Sequence, residues 1–338
     1  MSVQPPERLA PRSTLRVLIG VCISGALLAL VLNQIDGQDA WARVTQANPL
    51  WIASSFAMIA VVMVLRGLRF WLLTDGAGPT TVIASVCLQN FFNRIAPFRL
   101  GELSLPYLLN RSAGEPIAPT VISLLLVRLL ELWVVIVMMG IASWIYLDGT
   151  VLSGELMIAL GVGVAALLLS YRWCLSLGVK CLVAGSGRVG LMARPKVAAV
   201  IDRLEEAVLE RERLSIPRQC ALWVSTILVV VLNQVAFDFL LRSLGYELSF
   251  LQVITGVSAT QLFGALPLPT VGSVGTHEAG WVVGFVLVGM AKSDAVVTGV
   301  ASQVISLLFN AILAIPAYLY LGSIRGASED GRGASEGG

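Results

Sequence analysis

The sequence predicts an all-α polytopic membrane protein, built as an inverted-topology repeat with two re-entrant helical hairpins. Three observations carry that expectation. The 338 residues are 57% hydrophobic and only 13% charged, against about 25% charged in a typical soluble domain. The apolar stretches are long and continuous, which argues for helices rather than the short alternating strands of a barrel. Two stretches, 90–102 and 264–278, break hydrophobic runs with Pro, then Gly, then Glu. In lipid, a broken backbone is tolerated only where protein or a water-filled cavity covers it.

Taken in order, residues 1–14 read as a cytoplasmic N-terminal tail carrying Arg8 and Arg12. The integral membrane domain is expected over 15–323. Its candidate segments are 15–33, 50–73, 81–93, 101–113, 117–147, 154–172, 218–242, 251–267, 274–290 and 295–323. A full crossing takes about 20 apolar residues. The segments 81–93, 101–113, 251–267 and 274–290 are short or flanked by Gly and Pro, and they meet in pairs at the two broken motifs. Each pair is read as one hairpin. Long helix, hairpin, long helix over 50–147 then recurs over 218–323, and the second set enters from the opposite side. Such inverted halves are the arrangement behind alternating access in many transporters. Helices 15–33 and 154–172 lie outside the repeat.

The linker 173–217 is expected in the cytoplasm. Within it, 195–215 spaces Val197, Val200, Ile201, Leu204, Val208 and Leu209 along one helical face, with Arg203, Arg211 and Arg213 among acidic residues on the other. That pattern fits a helix on the inner leaflet or against a partner, and equally a solvated connector. The segment 324–338 is rich in Gly, Ser and Glu and reads as a disordered cytoplasmic tail. With the N-terminus inside, only Arg43, Arg242 and Lys292 fall in outer loops. The positive-inside rule therefore places both termini in the cytoplasm.

Several functions are disfavoured. A net charge of +2 is too small to suggest nucleic acid. The cysteines (Cys22, Cys87, Cys174, Cys181, Cys220) show no metal-ligand spacing, and His277 is the one histidine. No metal or other cofactor is expected, and no phosphate-binding Gly-x-x-x-x-Gly-Lys-Ser/Thr run occurs.

Charged side chains inside a membrane are costly, roughly 2.5–3.5 kcal/mol each at a helix centre. Arg94 and Arg99 flank Pro97 at the first hairpin apex, beside Asn93. Glu102 opens the returning half-helix, where its charge suits the positive end. Arg128 and Glu131 are three apart and share a helix face. Together they fit a site for a phosphate or other anionic head group, since the arginine fork matches phosphate oxygens. They equally fit an internal salt-bridge network that pins the hairpin. In the second half, Gly272 and Gly275 permit a tight path into a helix that starts near Thr276. His277 and Glu278 follow as candidate proton or capping groups. Asp238, near Asn233 and Gln234, is expected either to partner a basic group across the repeat interface or to hydrogen-bond between helices. Arg66 and Arg69, followed by Trp71, read as a positive-inside anchor.

These residues resemble the membrane region of lysylphosphatidylglycerol synthases, a family also described as flippase-like. Pro97-x-Arg99-x-Gly101-Glu102, preceded by Asn93 and followed by Arg111, is similar to its first signature. Arg128-x-x-Glu131 is similar to its next step, Pro269-x-x-Gly272-x-x-Gly275-x-x-Glu278 to its second signature, and Arg66-x-x-Arg69 to its early basic pair. Ser273 stands where a Gly is common, and Gln303 and Asn310 lie in the last helix, where an Arg is frequent. The resemblance implies a lipid translocase of a bacterial inner membrane, with membrane lipids as partners and no aminoacyl-transfer domain in this chain. A lipid head-group modifying enzyme and a non-transporting partner of a cell-envelope lipid synthase are the alternatives.

Overall fold

The computed structural model describes residues 46–96, 100–146, 203, 206–208, 214–265 and 275–336, with side chains of the last helix described as far as Ile324. The expected segments 15–33 and 154–172, and both apices with Pro97, Arg99 and Gly272, lie outside the described residues.

The described chain is helical. Helix α1 (Pro49–Trp71) starts at Asn48, whose side chain accepts the Leu50 N–H at 3.0 Å, with Pro49 in the first turn. This satisfies one of the amide donors that a helix start leaves open. Helix α2 (Pro79–Ile95), a 3-10 turn (Leu100–Leu103) and α3 (Ser104–Ala113) follow. Gly114, at φ 72°, closes α3 in the left-handed conformation that suits glycine. Then come α4 (Ile117–Tyr146), α5 (Ile216–Ser243), α6 (Phe250–Ala265), α7 (Thr276–Leu287) and α8 (Lys292–Glu336). Four of these, α1, α4, α5 and α8, are long and apolar enough to cross a membrane. Helices α2, α3, α6 and α7 have 17, 10, 16 and 12 residues, short of the roughly 20 a crossing takes. Helix α8 runs through most of the segment 324–338 that composition expects to be disordered.

The short helices lie in packed pairs, α2 with α3 and α6 with α7. Small residues bring the second pair close. A methyl on Gly284 would lie 2.6 Å from the Gly256 carbonyl oxygen and 2.7 Å from Ala259 Cβ. In lipid, where apolar burial does not drive helices together, such close backbone contact is a main source of association.

Helix α1 runs antiparallel to α5. The Asn48 N–H donates to Ser243 O at 2.9 Å, Ser55 Oγ to Ala236 O at 2.8 Å, and Arg69 Nη1 to Thr226 Oγ1 at 3.2 Å. Helix α8 lies antiparallel on α2, tied by Thr80 Oγ1 to Tyr320 Oη at 2.7 Å and by Arg94 to Gln303. Helix α4 lies antiparallel on α6, tied by Ser143 to Thr255 and by Tyr146 to Gln252. Helix α8 thus packs on the short helix α2, and α4 on the short helix α6.

Two large apolar clusters and a small one, of Val134, Val135 and Val230, fill the interior. The larger joins Val62, Leu88, Phe237, Val253, Trp281, Phe285, Ile305 and Phe309. Trp281 is fully buried among Phe237 and Phe285, and its indole N–H donates to Thr298 Oγ1 at 3.0 Å. The second joins Phe70, Val86, Leu105, Leu109, Leu126 and Leu130, and takes in Ala207 and Val208. Those two are buried while Arg203 and Glu206 are exposed. Where it is described, the expected amphipathic segment turns its apolar side onto the protein's own helices.

Candidate functional site

The site begins at Glu131, on the face of α4 that meets α1 and α2. Its carboxylate faces three arginines. Oε1 accepts from Arg69 Nη2 at 2.5 Å and lies 3.9 Å from Arg66 Nε. Oε2 accepts from Arg128 Nη1 at 3.1 Å, so the expected pairing three residues apart is present. Arg128 also reaches Glu102 Oε1 at 3.4 Å. Arg66 Nη1 donates to Asn90 Oδ1 at 2.9 Å, linking α1 to α2.

Burial grades across this cluster. Side-chain exposure is 1% at Arg69, 13% at Glu131, 20% at Arg66, 25% at Glu102 and 39% at Arg128. Arg69 and Glu131 are therefore the closed floor, and Arg128 with Glu102 forms the accessible rim. Arg66, Arg69, Gln89 and Asn90 line a void of about 10 Å³ with Arg128 and Glu131, close to the least space a single water needs. The Nε atoms of Arg66 and Arg69 are buried without a hydrogen-bond partner among the described residues, so one water there would satisfy donors that are expensive to leave open.

A second set lies at the end of α2. Arg94 Nη1 donates to Gln303 Oε1 on α8 at 3.0 Å, and the charges of Arg66 and Glu278 both act on it. Glu278, 2% exposed, turns back to accept the Gly275 N–H at 2.6 Å. Gly275 has φ 87°, a conformation glycine takes without strain. This closes the start of α7 with an acid where the helix dipole favours one. His277 stacks on Trp281, ring centroids 5.6 Å apart. Its Nδ1, like Asn93 Oδ1, is buried without a hydrogen-bond partner among the described residues.

Among the expected site residues, Glu102, Arg128 and Glu131 thus form one cluster. Arg94, Gly275 and Glu278 lie at the junction of α2, α7 and α8, with Arg66 electrostatically between the two sets. Arg99 and Gly272 lie outside the described residues. Asp238 departs from both expectations. It pairs with Arg242, one turn on along α5, at 2.9 Å, and Arg242 also lies over the Trp51 ring, 5.7 Å from its centroid. The interhelical hydrogen bond goes instead to Gln234, which donates to Ser258 Oγ at 3.2 Å.

The sequence alone reads Arg66 and Arg69 as a positive-inside anchor. That reading is corrected by Arg69, which is 1% exposed and bonded to Glu131 and Thr226. The signal was their spacing of three, which turns both onto one helix face. Asn90, Thr226 and Gln303 complete the polar network and carry no motif of their own.

Neither a curated protein nor a solved structure matches the chain. Residues 17–314 match the family described as the lysylphosphatidylglycerol synthase TM region. An arginine-rich polar cluster within long apolar helices, and a match across most of the length, place this chain in the lysylphosphatidylglycerol synthase TM region family.

Proposed function

We propose that the protein is a lipid translocase of a bacterial inner membrane, moving a lipid with an anionic head group. One observation carries the reading. Around Glu131, three arginines, Arg66, Arg69 and Arg128, sit with two carboxylates, Glu102 and Glu131, so the cluster holds a surplus positive charge. Arg128 is the most exposed of the cluster around Glu131, and an anionic head group would compete there with Glu102. Charge-assisted contacts to a phosphate favour arginine.

The architecture supports the same reading. Helices α2–α3 and α6–α7, too short to cross singly, act as re-entrant hairpins. The antiparallel pairing of α1 with α5, and the reciprocal seating of α8 on α2 and α4 on α6, support two inverted halves with the site between them. Alternating access follows from rocking one half against the other. Both termini are cytoplasmic in this reading, and translocation draws on an ion gradient or on no energy source.

The test is reconstitution in liposomes with fluorescent anionic and zwitterionic lipids. Wild type should move the anionic lipid, and Arg128→Ala should slow it about tenfold, the loss expected for one charge-assisted contact. Equal rates for both proteins would remove the cationic site from the mechanism. Consumption of a lipid-linked donor without movement would replace translocation by head-group chemistry.

A further inference from the structure

Between α2, α3 and α8 lies a cavity of about 490 Å³ that the charged cluster does not use. Its size falls within the roughly 300–1,000 Å³ of small-ligand sites. One wall is the face of α2 made by Leu88, Phe92 and Ala96, each four residues from the next. At 1.5 Å per residue that wall is about 12 Å long. It ends at the level of Arg94. Tyr107 of α3 and Tyr318 of α8 line the cavity and are both exposed.

The far end of this wall has a defined chemistry. The start of α2 is fixed to the chain after α3 by Glu115, whose Oε1 accepts the Gly76 and Ala77 N–H groups at 2.8 and 2.9 Å. Glu115 is buried by that role. Arg111, exposed on the last turn of α3, donates to Tyr107 Oη at 2.8 Å and has no acidic partner among the described residues. An apolar channel therefore runs along α2 and α3 from an unneutralised arginine and a tyrosine hydroxyl. Tyrosine and arginine at one level are the residues that meet lipid head groups at a membrane surface.

The geometry points to a resting site for an anionic phospholipid, with one acyl chain in the α2–α3–α8 channel and its phosphate at Arg111 beside Tyr107. This rests on the translocase reading and adds the position from which the lipid enters. Charge complementarity selects the occupant. An acyl chain matches the lining, and a phosphate matches the exposed fork of Arg111.

Gly322 supplies the probe. It lines the channel, and a Cβ placed on it meets nothing within 4 Å. Gly322→Phe therefore sends a ring into the channel from a position with room for its Cβ, and Gly322→Leu is a smaller plug. Gly140 on α4 also has open space around its Cβ and does not line the channel. Gly140→Phe is the matched control. The full chain, in nanodiscs, is irradiated with phosphatidylglycerol or phosphatidylcholine carrying a diazirine on the acyl chain, and labelled peptides are read by mass spectrometry. Only variants eluting as wild type are compared.

Wild type should be labelled by phosphatidylglycerol on peptides spanning 88–108 or 318–322. Gly322→Phe should lower that label about tenfold, Gly322→Leu in the same direction, and Gly140→Phe should leave it. Arg111→Gln should bring phosphatidylglycerol labelling down to the phosphatidylcholine level. Label unchanged by both Gly322 variants would overturn the site, as would an equal fall in Gly140→Phe. Protein–protein dimers blocked by Gly322→Phe would also overturn it, with a second copy as the occupant. Labelling requires no movement across the bilayer. A labelled channel with no translocation would sink the translocase reading alone, and translocation with an unlabelled channel would sink this site alone.

Discussion

Glu131 is the residue on which the polar interior turns. Removing one partner of a buried ion pair costs about 3–5 kcal/mol, because the remaining charge is left uncompensated. Glu131→Gln leaves Arg69, 1% exposed, without its carboxylate. Its melting temperature in detergent should fall far more than that of Glu102→Gln, since Glu102 is 25% and Arg128 39% exposed and exposed pairs contribute about 0–1 kcal/mol. Equal losses would mean that the floor and rim of the cluster are not distinct. At this scale the sequence was partly legible. Arg128 and Glu131 were readable as a pair because three-residue spacing fixes a shared face. Arg66 and Arg69 have the same spacing, but basic residues before a Trp at a helix end look identical whether they meet head groups or a buried acid. Only the neighbouring helices decide, and Asn90, Thr226 and Glu131 come from three of them.

At the scale of elements, close approach decides which glycines matter. A methyl on Gly101 would lie 2.5 Å from the Phe92 carbonyl carbon and 2.6 Å from Asn93 Cα, so Gly101→Ala should force α2 away from the 3-10 turn that precedes α3. Overpacking of this kind costs about 1–3 kcal/mol. Gly322→Ala meets open space within a helix and should instead stabilise by up to about 1 kcal/mol. Thermal unfolding of the two variants side by side checks both signs. The long helices were legible because an apolar run of about 20 residues has few other uses. The bounds expected at 50–73, 117–147, 218–242 and 295–323 agree with α1, α4, α5 and the spanning part of α8. The short helices were legible through the Pro and Gly between them. Their partners were not, because the contacts of α2 with α8 and of α4 with α6 join residues far apart in the chain that share no motif.

At the scale of the whole molecule, the inverted reading makes a topological prediction. Ser112, near the open end of the first short pair, and Lys292, just past the second, should face opposite sides of the membrane. Single cysteines at these positions in a cysteine-free background should react with an impermeant maleimide from opposite faces of sealed vesicles. Labelling of both from one side would end the inverted arrangement. The crosswise seating of α8 on α2 also bears on how the protein is made. Arg94 finds Gln303, and Thr80 finds Tyr320, only once the end of the chain exists. At about 5–20 residues per second, the ribosome leaves the first polar apex without its final cover for roughly ten to forty seconds. Throughout that interval the newborn chain has to be sheltered by the insertion machinery, and a truncation before α8 should be a substrate for membrane proteases rather than a half-sized transporter.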